Sequence, residues 1–306
     1  MRSLSIAMFL LAAPVYQMLS PALLNGAEEK AAAPFHIQAH RGAGIEAPEN
    51  TIEAFTSAWD IGVTPEADLR TTADGVIVCF HDADFRRVVS NVDEAKRGEG
   101  VEDLTAEEVT KLEVGAFRGK QFAGQRAPTL AQLFDALEGR PERLVYLDIK
   151  TENVDLDQLA KQVVDAGVQS QIIFTTKHHE LIRNWKRRVP DSLTLIWNGG
   201  SEADLRKRLA AIRKNDFEGI THLQIHVKVV GDPAADEPFQ PSIGFLEEVR
   251  DELKARGIVF QVLPWENADP AVYRRLLELG AESFATDYPQ VTVDAVREFQ
   301  ARKQAN

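Results

Sequence analysis

LVYLDIKTENVDLDQLAKQVVDAGVQSQIIFTT (144–176) reads as a strand, a helix and a second strand. The flanking runs LVYLDI (144–149) and QIIFTT (171–176) are short, apolar and rich in β-branched and aromatic residues, which favours strand over helix. Between them, 155–166 places Leu156, Leu159, Ala160 and Val163 on one helical face. A helix joining two such strands is a crossover, so the strands are expected to run parallel.

The same unit recurs on both sides. Further β-rich runs are FHIQAH (35–40), PEADLR (65–70), LTLIW (193–197), ITHLQI (220–225), IVFQVL (258–263) and SFATD (283–287). Helical spacing occupies 51–61, 129–138, 178–188, 202–214, 242–256, 270–279 and 290–302. Eight strands alternating with helices predict the α/β class and a (β/α)8 TIM barrel. An open doubly wound sheet is the rival, disfavoured because no glycine-rich dinucleotide turn follows the first strand. Segment 84–127 breaks the alternation, being polar apart from one helical stretch near 105–112. It reads as a small insertion after strand two, a lid or specificity element. Asn50 is expected to cap the first helix, with Glu53 as its capping-box partner.

Bulk composition narrows the function classes. The chain has 306 residues, 44% hydrophobic and 27% charged, enough for a full globular core. A net charge of −12 argues against nucleic acid as partner, and a phosphate pocket must then concentrate positive charge locally. Residues 1–33 read as a signal peptide and N-terminal tail: Arg2, an apolar run from Ile6 to Leu11, then small residues with cleavage options after Ala22, Ala27 or Ala33. The run is too short to span a bilayer and is broken at Pro14 and Pro21. The expectation is an exported protein, periplasmic or secreted, whose working part is 34–306 and which keeps no stable membrane insertion after cleavage. The single Cys79, within VIVCF, excludes an internal disulfide and reads as a buried strand residue.

The chemistry concentrates between Ala39 and Asp82. Glu66 and Asp68, two apart on a strand, point to one face. Leu69 to Phe80 reads as a hairpin about Asp74-Gly75; a two-residue loop pairs Ala73 with Val76 and sets Asp68 opposite His81. In a barrel, sites form at the C-terminal strand ends. His40 and Arg41 end the first strand, Asp148 and Lys150 the third, and Trp265 and Asn267 follow the seventh, so all are expected at one mouth. Glu66, Asp68 and Asp148 form an all-oxygen set suited to Ca²⁺ or Mg²⁺ rather than zinc. His40 and His81 beside that cation suit acid/base catalysis near neutral pH. Arg41 can grip a phosphate oxygen pair and Lys150 can add a point charge, an arrangement for phosphodiester cleavage. Taken singly, His40 fits a hydrogen-bonded structural role and the Glu66–Asp68 pair a solvated strand edge; the convergence with His81 favours the functional reading. His36, His178, His179, His222 and His226 have no such partners and read as core or surface residues, least clearly for His222 and His226.

The ordered set HRG (40–42), PENT (48–51), Glu-x-Asp (66–68), T-x-DG (72–75) and HD (81–82) resembles the glycerophosphodiester phosphodiesterase family. DLTAEE (103–108), PTL (128–130), D-I-K (148–150) and TDYP (286–289) extend the resemblance over about 35–298. The resemblance implies a barrel with its insertion after strand two, and hydrolysis of a small glycerophosphodiester to sn-glycerol 3-phosphate and an alcohol. It implies His40 and His81 as the acid/base pair, Arg41 as a phosphate contact, and Glu66, Asp68 and Asp148 as metal ligands with Lys150 beside them. It further implies attack by the glycerol's own hydroxyl and a cyclic phosphate that water opens. Two positions depart from the pattern. Asp148 stands where Glu is commoner and is one methylene shorter, so a water or a backbone shift is expected to bridge it to the cation. Glu266 in PWEN stands where a neutral residue is usual. A phospholipase D-like enzyme acting on intact lipids is the alternative, since its relatives carry Asp as third carboxylate. A non-catalytic binder is a third reading, disfavoured by the presence of both histidines.

Overall fold

Ile37–Ala39 (β1) pairs in parallel with both Thr64–Thr71 (β2) and Ser283–Thr286 (β10), and that double pairing closes the sheet. The computed structural model describes residues 35–305; the expected signal peptide over 1–33 lies outside them. Around the ring from β2 run Val145–Ile149 (β4), Ile172–Thr176 (β5), Leu193–Asn198 (β6), His222–Val229 (β7) and Val259–Pro264 (β9), which returns to β10. Two short strands stand off the ring, each antiparallel to its neighbour: Ile77–Cys79 (β3) on β2 and Phe239–Gln240 (β8) on β7. The expected eight-stranded parallel barrel is present. The β7–β8 hairpin is not part of the sequence reading, because the nine residues 230–238 between the paired Val229 and Phe239 exceed the short loops that mark a hairpin.

The helices follow the strands: Ile52–Ile61 (α1), Ala106–Val109 (α2), Leu130–Asp135 (α3), Leu156–Asp165 (α4), His179–Arg188 (α5), Glu202–Arg213 (α6), Ile243–Arg256 (α7), Pro270–Glu278 (α8) and Pro289–Ala305 (α9). Thr51, Asp155, Ser201, Ser242 and Asp269 each accept a backbone N–H from the first turn they precede. The main core lies between strands and helices, with Phe55, Phe174, Trp185, Phe245, Phe260 and Phe284 fully buried. Burying such rings contributes about 1.5–3 kcal/mol each. Among the described residues, no helix is long and apolar enough to cross a membrane.

Two local expectations need correction. The β2–β3 register pairs Leu69 with Cys79 and Thr71 with Ile77, so Phe80, not His81, opposes Asp68. The loop holds three residues instead of two: the Thr72 N–H donates to the Val76 carbonyl, the Val76 N–H donates to Thr72 Oγ1, and Gly75 takes the left-handed conformation at φ 82°. Asp-Gly serves a three-residue turn as readily as a two-residue one, and the extra residue shifts the register by one. Asn50 is not the cap of α1. Thr51 is, and Asn50 sits at φ 54° with its amide turned into the barrel.

Segment 84–127 packs around an apolar cluster of its own, including Phe80, Phe85, Val88, Val101, Leu104 and Val109. Arg118 donates from Nη2 to the Gly44 carbonyl at 3.1 Å, which pins this segment against the loop after β1. Two of the recurrent motifs prove to be helix starts: Thr105 with Glu108 and Thr129 with Gln132 form capping boxes for α2 and α3.

Candidate active site

The parallel register of β2 and β4 sets Asp68 beside Asp148, and the two-residue period puts Glu66 on the same inward face. One oxygen from each of the three lies within 4.8 Å of the others, and all three residues are buried. The shorter Asp148 therefore still reaches the cluster. Asn50 clamps Asp68 from both sides: its Nδ2 donates to Oδ2 at 2.6 Å, and its Oδ1 accepts the Asp68 backbone N–H at 2.9 Å. Asp68 Oδ1 is left buried without a hydrogen-bond donor, although the Lys150 ammonium stands 2.9 Å away. Lys150 also donates to Asp148 Oδ2, and Trp197 Nε1 lies 3.3 Å from Asp148 Oδ1.

One ammonium cannot neutralise three buried carboxylates. Burial and the charges of Glu66 and Asp68 push Asp148 up to about 7, against the pull of Lys150. Asp68 is held well below the usual carboxylate range: burial opposes ionisation, but Lys150, His81 and the Asn50 hydrogen bond outweigh it. A surplus of buried negative charge over the single Lys150 ammonium, carried by clustered carboxylate oxygens, fits a hard divalent cation, which oxygen donors of this kind hold.

Both candidate catalytic imidazoles have a carboxylate behind them. His40 Nδ1 stands 2.7 Å from Asp287 Oδ1, and His81 Nδ1 stands 2.8 Å from Asp82 Oδ1. A carboxylate only accepts, so each Nδ1 carries the proton and each Nε2 is left for chemistry. Burial works against a charged His40, yet the Asp287 hydrogen bond and the nearby Glu66 raise its pKa above the ordinary value. Gly44 lets the β1 loop reach Asp287: at φ 58°, a Cβ there would stand 2.2 Å from the Asp287 carbonyl oxygen.

His40, Arg41, Glu66, His81, Asp148, Lys150 and Trp265 line one central cavity of about 140 Å³. On one side it adjoins a chamber of about 410 Å³ of mixed charge, where Arg41, Arg87 and Arg118 meet Glu49, Glu266 and Asp287. On the other, across His226 and Trp265, lies a chamber of about 810 Å³ with Val230, Phe239 and Pro241 in its wall. A separate cavity of about 590 Å³, reached by Ile149, Ile196 and Asn198, shares no lining residue with these three. Arg41 sits at φ 56° with its N–H 3.3 Å from Glu66 Oε2 and its Nε buried without an acceptor.

Several placements differ from the sequence reading. Asn267 does not line these cavities; its Oδ1 accepts the Asp269 N–H at 2.9 Å and shapes the turn before α8. His226 is at the mouth: its ring stacks between Trp197 at 5.5 Å and Trp265 at 5.4 Å, and its Nε2 meets Gln224 Oε1 at 2.9 Å. Burial, helped by the charges of His40 and Lys150, lowers its pKa to about 4, so the ring is neutral near pH 7. Gln224 continues to Gln38 and Gln261, a buried amide layer under the site. Polar residues at inward positions of otherwise apolar strands were the available signal for His226, Gln224 and Gln261. The motifs HD and TDYP contain Asp82 and Asp287 without showing which imidazole each one backs.

Comparison with known proteins follows the same lines. A glycerophosphodiester phosphodiesterase from Caldanaerobacter subterraneus is 29% identical over 85% of this chain and 96% of its own length. A lysophospholipase D from Mus musculus is 30% identical, with 92% of each chain covered. The structure of an Oleispira antarctica phosphodiesterase in complex with the product sn-glycerol-3-phosphate superposes with a TM-score of 0.64 at 20% identity, covering 86% of this chain and 96% of that one. The sequence profile of the Glycerophosphoryl diester phosphodiesterase family matches residues 40–291, and the chain belongs to that family.

Proposed function

We propose that this protein hydrolyses glycerophosphodiesters to sn-glycerol 3-phosphate and an alcohol, with Glu66, Asp68 and Asp148 holding a divalent cation, Ca²⁺ or Mg²⁺. The observation that carries the reading is the pair of carboxylate-backed imidazoles facing one cavity with Glu66 and Asp148, two members of the three-carboxylate cluster. Family membership and the product complex of the Oleispira relative support the substrate class. The cation would offset negative charge on the phosphoryl oxygens. Arg41, with donors to spare, and Lys150 would orient the phosphate. One imidazole takes the proton of the glycerol hydroxyl as that oxygen bonds to phosphorus, and the other protonates the departing alcohol oxygen. Water then opens the cyclic phosphate with the two roles exchanged.

The test is turnover of glycerophosphocholine by purified protein, with chelator and with add-back of calcium, magnesium, manganese or zinc. Cation-dependent release of glycerol phosphate is expected, abolished in His40→Ala and in His81→Ala. Full turnover in both variants would end this reading. A phospholipase D-like activity on intact lipids is the second reading. It is supported by the lysophospholipase D relative and by the chamber of about 810 Å³ with apolar Val230, Phe239 and Pro241 beside Trp265. Intact lipid in the same assay separates the two. We further propose export guided by residues 1–33; N-terminal sequencing of protein recovered outside the cytoplasm tests it.

A further inference from the structure

Arg87 belongs to the insertion, yet its guanidinium lies between two acidic groups of the barrel mouth. Its Nε and Nη2 donate to Asp82 Oδ2 and Oδ1, both at 2.8 Å. Its Nη1 and Nη2 donate to Glu49 Oε2 at 2.7 Å and Oε1 at 2.6 Å. Both edges of the planar fork are filled, a geometry a lysine ammonium cannot reproduce. Beyond Asp82 stands His81, 2.8 Å away; beyond Glu49 stands Arg41, whose Nη1 is 3.4 Å from both carboxylate oxygens. Charges therefore alternate along His81, Asp82, Arg87, Glu49 and Arg41.

We propose that Arg87 is a positioning residue that sets the His81 imidazole and the Arg41 guanidinium relative to one another by holding Asp82 and Glu49 in one bracket. The inference rests on the phosphodiesterase reading above. Four of the five N–H donors of an arginine are engaged here, so little remains for substrate. Arg41 differs, with its Nε unpaired and only long contacts to Glu49. Glu49 is only 6% exposed and would be left buried without its chelating partner if Arg87 were removed. It also lies with Asp82 and His81 in a second cluster whose ligand atoms fall within 4.8 Å of one another. The guanidinium already supplies the positive charge that this cluster would otherwise seek from an ion. Phe85, Val88 and Val89, buried in the insertion's own core, fix the backbone from which Arg87 reaches out. On this account the insertion acts as a brace for the acid/base group.

The test is a double-mutant cycle on glycerophosphocholine, reading kcat and KM separately. Arg87→Met is expected to lower kcat by about 100-fold with KM within about twofold, as misplacement of a reacting group does. In an Asp82→Asn background, the same substitution should cost less than about tenfold, because the arm that reaches His81 is already lost and only the Glu49 arm to Arg41 remains. Arg87→Lys should recover only part of kcat, and it replaces Arg87→Met in the cycle should that variant not fold. An equal loss in both backgrounds would overturn the inference, as would a raised KM with kcat retained, the mark of direct substrate contact. A wild-type protein without turnover removes the phosphodiesterase reading and this inference with it. A wild type that cleaves alongside an additive cycle removes this inference alone.

Discussion

His40 and Asp287 are 247 positions apart in sequence and their side chains meet at 2.7 Å, one leaving β1 and the other following β10. An amide at 287 would no longer require the N–H at His40 Nδ1, so the imidazole could present the wrong tautomer to substrate. Asp287→Asn is expected to reduce kcat by up to about 10⁴-fold, the loss seen where a histidine-orienting aspartate becomes an amide. Steady-state kinetics beside a thermal melt checks this. Activity within threefold of wild type would show that the carboxylate does not orient the base.

Asn50 makes its two bonds to Asp68 from a backbone at φ 54°, a conformation that asparagine tolerates better than most residues. Asn50→Ala removes the clamp but leaves the acidic oxygens in place. The cation concentration giving half-maximal activity is expected to rise about 10–100-fold, as with other groups that orient metal ligands. A cation titration unchanged from wild type would contradict the proposed role of Asp68.

Lys150 shares its ammonium between Asp68 and Asp148, both buried. Lys150→Met leaves those carboxylates uncompensated, so the cation-free protein should lose about 3–5 kcal/mol of stability. Added Ca²⁺ or Mg²⁺ should then raise the melting temperature more in the variant than in wild type. Denaturant melts with and without cation make the comparison. Identical cation-free midpoints would show that Lys150 is not the counter-charge.

His222 lies buried in β7, and burial, with the charge of His36, lowers its pKa from 6.5 to about 4. The folded state therefore refuses a proton that the unfolded chain accepts. Its contribution is present above pH 6.5 and is lost as pH falls toward 4, about 3 kcal/mol at 1.36 kcal/mol per unit. His222→Gln should flatten the stability curve across that window. Parallel curves for the two proteins would assign the acid loss to other groups.

The barrel was legible because each strand and helix declares itself over five to fifteen residues of local pattern. The runs 171–176 and 283–287 match β5 and β10 to within one residue at each end. The acidic cluster was legible for a related reason: a period of two fixes which side chains of one strand share a face. Beyond that range, local chemistry was ambiguous. Asn50 suits a helix cap and a left-handed turn equally well, and its partner Asp68 is 18 residues away. Asp74-Gly75 suits two loop lengths, and the Thr72–Val76 pairing chooses between them. His226 takes its surroundings from Trp197 and Trp265 on other segments, which no local pattern records.

That stack also makes the protein its own optical gauge. Of four tryptophans in the chain, Trp197 and Trp265 flank the mouth, while Trp59 and Trp185 sit with the main core. The imidazole between the mouth pair stays uncharged above about pH 4, so it adds no acid-dependent quenching under ordinary working conditions. A molecule entering the mouth would alter the emission of Trp265, which is 39% exposed, and report its own arrival without a label.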